Sequence, residues 1–138
     1  MINRLELGTA PLASRLRVIR QAAEAGYPLH LSFAPVFPTG NYQHEYEKLL
    51  TRVRETLLQA APLEMLDLSY EVLIHYLRPD SESVITHIAP EITKGMVTRV
   101  INNRSRLTYP DKVYNEALLF FQRLLNDFLP TAELVFIA

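Results

Sequence analysis

The sequence predicts an α/β fold in which helices alternate with short parallel strands. Apolar residues recur at the period of an α-helix in several segments, and short runs rich in β-favouring residues lie between those segments. The chain has 138 residues, of which 49% are hydrophobic, so it can bury one ordinary core. Since no repeat, linker or low-complexity segment divides it, we expect residues 1–138 to form a single unit.

A helix and a strand are predicted in the first third of the chain. Thr9-Ala10-Pro11 supplies a capping hydroxyl and a first-turn proline, and Gly26 ends the helix. Between them, apolar residues follow one helical face: Leu12, Leu16, Ile19 and Ala23. From Leu29 to Val36, the composition and length favour a buried strand that ends by Pro38.

The middle of the chain predicts a second helix, a second strand and a short third helix. The second helix runs from about Gln43 to Ala60 and ends before Pro62. The segment from Leu66 to Tyr76 alternates enough to be a strand. Pro79-Asp80-Ser81 then provides a turn and a cap for a short helix through Ile88.

The last third contains the clearest helix and a terminal strand. From Ala89 to Thr108 no period dominates, so no element is assigned there. An apolar face then predicts a helix from about Asp111 to Leu129, which Pro130 ends. Glu133 to Ala138 is predicted to be a strand. Strands separated by helices of this length are usually parallel and joined by right-handed crossovers, so we expect a small sheet of three strands whose edges need a partner.

Alternation along the strands predicts one helix-packed face and one partly polar face. Side chains of odd-numbered residues such as Leu31 share one side of the first strand, and those of His30, Ser32 and Ala34 share the other. In the second strand, the polar side carries Ser69, Glu71, Leu73 and His75. In a (β/α) barrel this side lines the lumen, so we consider His30, Ser32, Ala34, Glu71 and His75 lumen candidates.

The lumen candidates leave structural and functional alternatives open. Either histidine can be a hydrogen-bonded structural group or a functional one. A carboxylate inside a strand, such as Glu71, must be paired, solvated or functional if it is buried. We therefore assign these residues to a face and leave the catalytic residues unknown.

The composition excludes several kinds of site within this chain. It has no cysteine, which excludes disulfides, thiol nucleophiles, zinc–cysteine sites and iron–sulfur ligation by its own residues. The pair His44-Glu45 lacks the second histidine of a zincin helix, so we predict no metal site. No glycine-rich phosphate loop or serine nucleophile elbow is present.

Charge and hydropathy bear on partners and location. The formal charge of −1 does not suit a stand-alone nucleic-acid binder, although the segment from Lys94 to Lys112 carries five basic residues. No run approaches the ~20 apolar residues needed to cross a bilayer, and the N-terminus lacks the order of a signal peptide. We therefore expect a cytoplasmic protein with no membrane partner.

Three segments together resemble the C-terminal half of spore photoproduct lyase, a radical S-adenosylmethionine family that repairs DNA. The first is INRLELGTAPLASRLRVIRQAAEAGYPLHLSFAPVFP at residues 2–38, with its Gly-Thr-x-Pro-Leu start, Ala-Gly-Tyr-Pro-Leu centre and Ala-Pro end. The second is YEVLIHYL at residues 70–77, and the third is NEALLFFQRLLNDFLPTAELVFIA at residues 115–138. The resemblance covers almost the whole chain.

The resemblance implies the C-terminal half of a partial (β/α) barrel of the radical S-adenosylmethionine type. In that family, a 4Fe–4S cluster held by CxxxCxxC cleaves S-adenosylmethionine, and the resulting radical attacks a methylene-bridged thymine dimer. By resemblance, Ala34 and Ser32 contact S-adenosylmethionine, Ala34 mainly through its backbone. His30, Glu71 and His75 are assigned to the lumen without a chemical step.

The chain departs from the family pattern in two respects. It has no CxxxCxxC, so we expect a missing N-terminal barrel half, in the same or a separate chain, to hold the cluster and start the chemistry. The family's longer hairpin, which meets the DNA lesion, corresponds at most to Asn102 to Tyr109. Arg104, Arg106 and Tyr109 are accordingly the candidate substrate contacts, with DNA as a partner of the complete enzyme.

Three functions remain open from the sequence. The leading hypothesis is the C-terminal segment of a spore photoproduct lyase-like lyase, as a truncated gene product, a split subunit or a shortened fragment, inactive alone. The alternative is a non-catalytic interaction module derived from such an enzyme, which self-associates through an exposed sheet edge or binds a partner. An autonomous DNA-binding protein that uses the basic segment is disfavoured by the near-neutral charge.

Overall fold

The computed structural model describes residues 10–74 and 79–138. Thr9 and His75 lie outside these ranges, and so does the end of the predicted second strand. Besides a 3-10 turn at Leu63–Met65, the elements in chain order are α1 (Leu12–Glu24), β1 (Leu29–Val36), α2 (Tyr42–Ala60), β2 (Leu68–Ile74), α3 (Pro79–Ile88), α4 (Pro90–Thr93), β3 (Val97–Ile101), β4 (Arg104–Thr108), α5 (Asp111–Phe128) and β5 (Glu133–Ile137).

A three-stranded parallel sheet in the order β1-β2-β5 organises the fold and confirms the predicted α/β class. Leu29 of β1 pairs with Leu68 of β2, and Ser69 of β2 pairs with Glu133 of β5. A parallel connection needs a crossover segment, and α2 supplies the one between β1 and β2. β2 begins at Leu68 rather than Leu66, because the preceding residues form the 3-10 turn.

Two register shifts adjust the sheet. Between Phe33 and Val36 the pairing of β1 with β2 shifts at Ala34–Pro35, whose peptide bond is cis. Between Tyr70 and Glu71 the pairing of β2 with β5 also shifts. Tyr70 pairs with Leu134 and Glu71 pairs with Phe136, so the register skips Val135 of β5. Both shifts preserve the division of faces, since Val36 and Ile137 again share the side of Val72 and Ile74.

The region without a predicted element contains α4 and an antiparallel hairpin of β3 and β4. Asn102 and Asn103 form its two-residue turn, with φ of 52° and 60°. Positive φ at both positions is the requirement of a type I′ turn, and asparagine tolerates it. The hairpin escaped prediction because β3 is exposed along most of its length, with Val100 73% exposed, so its sequence lacks the alternation of a half-buried strand.

One core lies between the sheet and the helices α1, α2 and α5. The buried side chains of β1 and β2, such as Leu31, Phe33 and Val72, belong to the same cluster as Leu50 of α2 and Phe121 of α5. Around Phe121, aromatic rings meet edge to face, with the Tyr46 ring centroid at 4.9 Å. Among the described helices, none is long and apolar enough to cross a membrane.

Leu125 and Leu119 of α5 provide a matched test of this core. Leu125 is 0% exposed and Leu119 is 53% exposed. We expect Leu125→Ala to lower the free energy of unfolding by about 2 to 5 kcal/mol, because it removes buried methyl groups and leaves a cavity. Leu119→Ala on the same helix should change it by no more than about 0.5 kcal/mol. Urea denaturation followed by circular dichroism measures both, and equal losses would contradict the assigned helix face.

Candidate functional site

A row of polar side chains crosses the face of the sheet opposite the helices. His30 pairs with Ser69, and Ser32 pairs with Glu71, in the parallel register of β1 and β2. Because paired residues of adjacent strands project to the same side, the four side chains meet on one surface. We call these four residues the polar row. Their neighbours Leu31, Phe33 and the core side of β2 are buried, which confirms the predicted division of the two faces.

Direct contacts join the members of the polar row. Nδ1 of His30 lies 2.9 Å from Oγ of Ser69, within hydrogen-bond distance. The Ser32 hydroxyl donates to Oε1 of Glu71 at 2.8 Å. Nε2 of His30 lies 3.7 Å from Oε2 of Glu71, which is close but beyond hydrogen-bond distance. The row is therefore a connected network across two strands.

The polar row remains open to solvent within this chain. The side chain of His30 is 43% exposed and that of Glu71 is 37% exposed. The sequence left Glu71 to be paired, solvated or functional. In the structure its carboxylate is both paired with Ser32 and partly exposed to solvent. A carboxylate has more acceptor sites than Ser32 occupies, so Glu71 can still accept hydrogen bonds from a hydroxyl or an ammonium group of a ligand.

Ala34 lies two residues beyond Ser32, near the C-terminal end of β1. It is exposed, and it precedes Pro35 at the register shift. The strand thus brings Ala34 to the same region as the polar row.

A cavity of about 470 Å³ opens at the C-terminal ends of β2 and β5. Its lining comes from β2, the hairpin, the start of α5 and the chain end: Leu73, Ile74, Arg99, Val100, Ile101, Thr108, Tyr109, Asp111, Tyr114 and Ala138. Nη1 of Arg99 donates to Oδ1 of Asp111 at 2.6 Å, which ties the hairpin to α5. In the described part of the chain, Oγ1 of Thr108 is buried and has no hydrogen-bond partner.

The candidate substrate arginines lie near the tip of the hairpin. Arg104 and Arg106 line a second cavity of about 360 Å³ together with Ile101 and Asn102. Nη1 of Arg106 donates to the carbonyl oxygen of Ser105 at 2.9 Å. Because Arg99 pairs directly with Arg106 across the hairpin, this side of the hairpin concentrates positive charge.

Tyr109 has a different environment from the two arginines. Its side chain belongs to the core cluster, and its hydroxyl donates to the carbonyl oxygen of Ile92 at 2.8 Å. Burial raises the pKa of Tyr109 well above its usual range. This contact joins the end of β4 to α4 and gives Tyr109 a structural part in the fold.

The structure thus brings most of the lumen candidates together and separates the hairpin candidates. His30, Ser32 and Glu71 are in contact, and Ala34 follows on the same strand. His75 lies outside the described residues. Ser69 was on the predicted face but was not nominated, although its alternation with Glu71 could have indicated it. In residues 10–74 and 79–138, no three histidine, aspartate or glutamate side chains come together to hold a metal ion.

Comparisons with known proteins converge on one family. A family model described as spore photoproduct lyase matches residues 1–138. The spore photoproduct lyase of Bacillus subtilis (strain 168) is 29% identical over 91 residues, which are 66% of this chain and 26% of that protein. This chain therefore spans only a minor part of that relative's length.

Solved structures of spore photoproduct lyase share the fold. One complexed with dinucleoside spore photoproduct and one variant with bound AdoMet and dinucleoside spore photoproduct each give a TM-score of 0.82 at 23% identity. Both alignments cover 99% of this chain and 41% of the other. This likeness shows that the helices and parallel strands described above have the arrangement of part of those larger chains.

The hydroxyl of Tyr109 provides a test of its structural part. Because burial raises its pKa, the unfolded chain loses the tyrosine proton at lower pH than the folded chain. Stability should therefore fall as the pH rises above about 10, the ordinary value for tyrosine. We expect Tyr109→Phe to lower stability near neutral pH, since the Ile92 carbonyl loses its donor, and to make the alkaline loss less steep.

Thermal denaturation between pH 7 and pH 11 measures both effects. Tyr27→Phe is the matched control, because Tyr27 is 67% exposed. An alkaline loss of equal steepness in wild type and Tyr109→Phe would refute the structural role of the hydroxyl.

Proposed function

This chain belongs to the spore photoproduct lyase family, and we propose that it supplies the C-terminal wall and part of the cofactor contact of a DNA-repairing lyase of this kind. The polar row is the observation that carries the proposal. Ligands of parallel α/β folds gather at the face and strand ends that helices leave open, and here that face presents a connected set of donors and acceptors.

The residues of the open face suit S-adenosylmethionine. We assign its contacts to Ser32 and to the backbone of Ala34, with Glu71 as an acceptor for a hydroxyl or ammonium group and His30 beside it. In this family, bound S-adenosylmethionine supplies the radical that abstracts hydrogen. The part of this chain is to bind and orient the cofactor and to shield it from water.

The chain does not suit the 4Fe–4S cluster of the family. Cluster ligation uses cysteine thiolates, and none of the 138 residues is cysteine. The cluster must therefore be held by the N-terminal barrel half, in the same or a separate chain. His75, which matches the family pattern in sequence, stays a lumen candidate.

DNA is the partner that we assign to the hairpin. Arg104 and Arg106 are exposed or half-buried near a type I′ turn, where guanidinium groups can reach phosphate oxygens. Tyr109 anchors the hairpin and, being buried, acts through the position of the strand. One structural neighbour contains a dinucleoside spore photoproduct, which agrees with a photoproduct in DNA as the substrate of the complete enzyme.

A non-catalytic interaction module is the second candidate, and one observation favours it. β5 exposes Leu134, Val135 and Phe136 by 45 to 58%. Consecutive exposed apolar residues on a strand are typical of a surface that another chain covers. Both candidates predict binding to a partner, so only the chemistry of the assembled protein separates them.

Reconstitution tests the leading proposal. We expect this chain, co-expressed with the CxxxCxxC-bearing half of a related lyase, to copurify with it and to restore reductive cleavage of S-adenosylmethionine. Glu71→Gln should raise the KM for S-adenosylmethionine about tenfold or more, because it removes a charged acceptor. Glu55→Gln on the exposed side of α2 is the matched control and should leave the KM unchanged.

The outcomes separate the two candidates. Cleavage of S-adenosylmethionine that appears only with both halves present supports the proposal that this chain forms the C-terminal wall of the barrel. A well-folded chain that ignores the other half, or copurifies without any cleavage, would reject the enzyme segment and leave the interaction module.

The hairpin arginines can be tested on DNA with the same assembled complex. Each of Arg104→Gln and Arg106→Gln should weaken duplex binding and reduce the slope of log affinity against log salt by about 1, because one phosphate contact is lost. Arg54→Gln on the exposed side of α2 should change neither quantity. Fluorescence anisotropy across a salt series measures the affinity and its salt slope. Unchanged slopes in both hairpin variants would contradict the proposal that the hairpin contacts DNA.

A further inference from the structure

We infer that Ser69 and His30 form a positioning pair for Glu71 and make ligand binding at the polar row sensitive to pH. The inference rests on the proposed function and extends it, because it assigns a regulatory property to the same site. It also gives a part to Ser69, which was not among the candidate site residues.

The contact between Ser69 and His30 sets the orientation of the imidazole. A neutral imidazole has one donor nitrogen and one acceptor nitrogen, and a serine hydroxyl can donate to the acceptor. When the Ser69 hydroxyl donates to Nδ1 at 2.9 Å, the ring proton resides on Nε2. Nε2 is the nitrogen that faces Oε2 of Glu71.

Two residues of β1, Ser32 and His30, each lie next to one oxygen of the Glu71 carboxylate. Ser32 donates to Oε1 at 2.8 Å, and Nε2 of His30 lies 3.7 Å from Oε2. Since that second distance exceeds a hydrogen bond, the imidazole acts on the carboxylate electrostatically, through the direction of its N–H group. The acceptor sites that remain on the carboxylate face the open side of the sheet, where a ligand would bind.

Protonation of His30 would change the binding property of the site. A neutral His30 leaves the negative charge of Glu71 available to the hydroxyl or ammonium group of a ligand. A protonated His30 compensates that charge and competes with the ligand for the carboxylate. Ligand affinity should therefore be lower when His30 is protonated.

The neighbouring strand β5 places one further charged residue next to the polar row. Glu133 of β5 pairs with Ser69 and is exposed, so it adds negative charge beside the pair. The core side chains of α1, α2 and α5 cluster with the buried residues of β1 and β2, on the other face.

The tautomer of His30 is measured first, in the full chain alone. Long-range proton–nitrogen NMR correlation at pH 8 should show His30 with the proton on Nε2, and Ser69→Ala should reduce that preference. Ser105→Ala on the exposed part of the hairpin is the matched control and should leave the tautomer unchanged. A proton on Nδ1 in the wild-type chain would overturn the inference without touching the proposed function.

Kinetics of the reconstituted complex then test the regulation. The KM for S-adenosylmethionine should rise about two- to fivefold from pH 8 to pH 5.5, the size expected of a partly exposed charge pair, while kcat changes less. His30→Gln keeps an N–H donor near Glu71 but cannot gain a charge, so its KM, whatever the value at pH 8, should lose this pH dependence. His44→Gln on the exposed side of α2 should behave as wild type.

Each kinetic outcome decides the inference. Equal pH dependence in wild type and His30→Gln, or an unchanged KM in Ser69→Ala, would overturn it while cleavage itself persists. A complex without any cleavage would reject the proposed function, and the inference with it.

Discussion

The parallel register between β1 and β2 is the constraint on which the rest of the structure depends. It places His30 beside Ser69 and Ser32 beside Glu71, and it places Leu31 and Phe33 on the side that the helices cover. A slip of one residue would turn the polar side chains into the core and the apolar ones into solvent. The buried residues thus fix the register, and the register assembles the site without any loop.

The elements with a buried apolar face could be predicted from the sequence, and so could the polar face of the sheet. The stripe that includes Phe121 and Leu125 defined α5, and the alternation around Glu71 defined the face of β2. The hairpin could not be predicted, since residues such as Val100 and Ser105 do not alternate with burial. The partner of a polar side chain was also beyond the sequence, because the pairing of His30 with Ser69 exists only once two strands align.

The described part of the chain covers one face of its sheet and leaves other apolar and polar side chains of the sheet exposed. Helices shield one side of the sheet, whereas β5 exposes three consecutive apolar residues and β1 exposes His30 and Ser32. Apolar surface left in water costs about 25 cal/mol per Å². This chain also spans 41% of the solved structures that share its fold. The barrel proposed above accounts for both facts, because the half that it adds to this chain would cover the exposed surface.

The hairpin and the polar row border one region of the molecule, and β2 connects them. Leu73 follows Glu71 by two residues on the same face and lines the larger cavity, whose opposite wall contains Arg99 and Thr108 of the hairpin. The hairpin is held at its base, where Tyr109 bonds to Ile92 and Arg99 bonds to Asp111. Beyond this base, Asn102, Asn103 and Arg104 are exposed. In the proposed enzyme, a cofactor at the polar row and a nucleic acid at the hairpin would meet across this cavity.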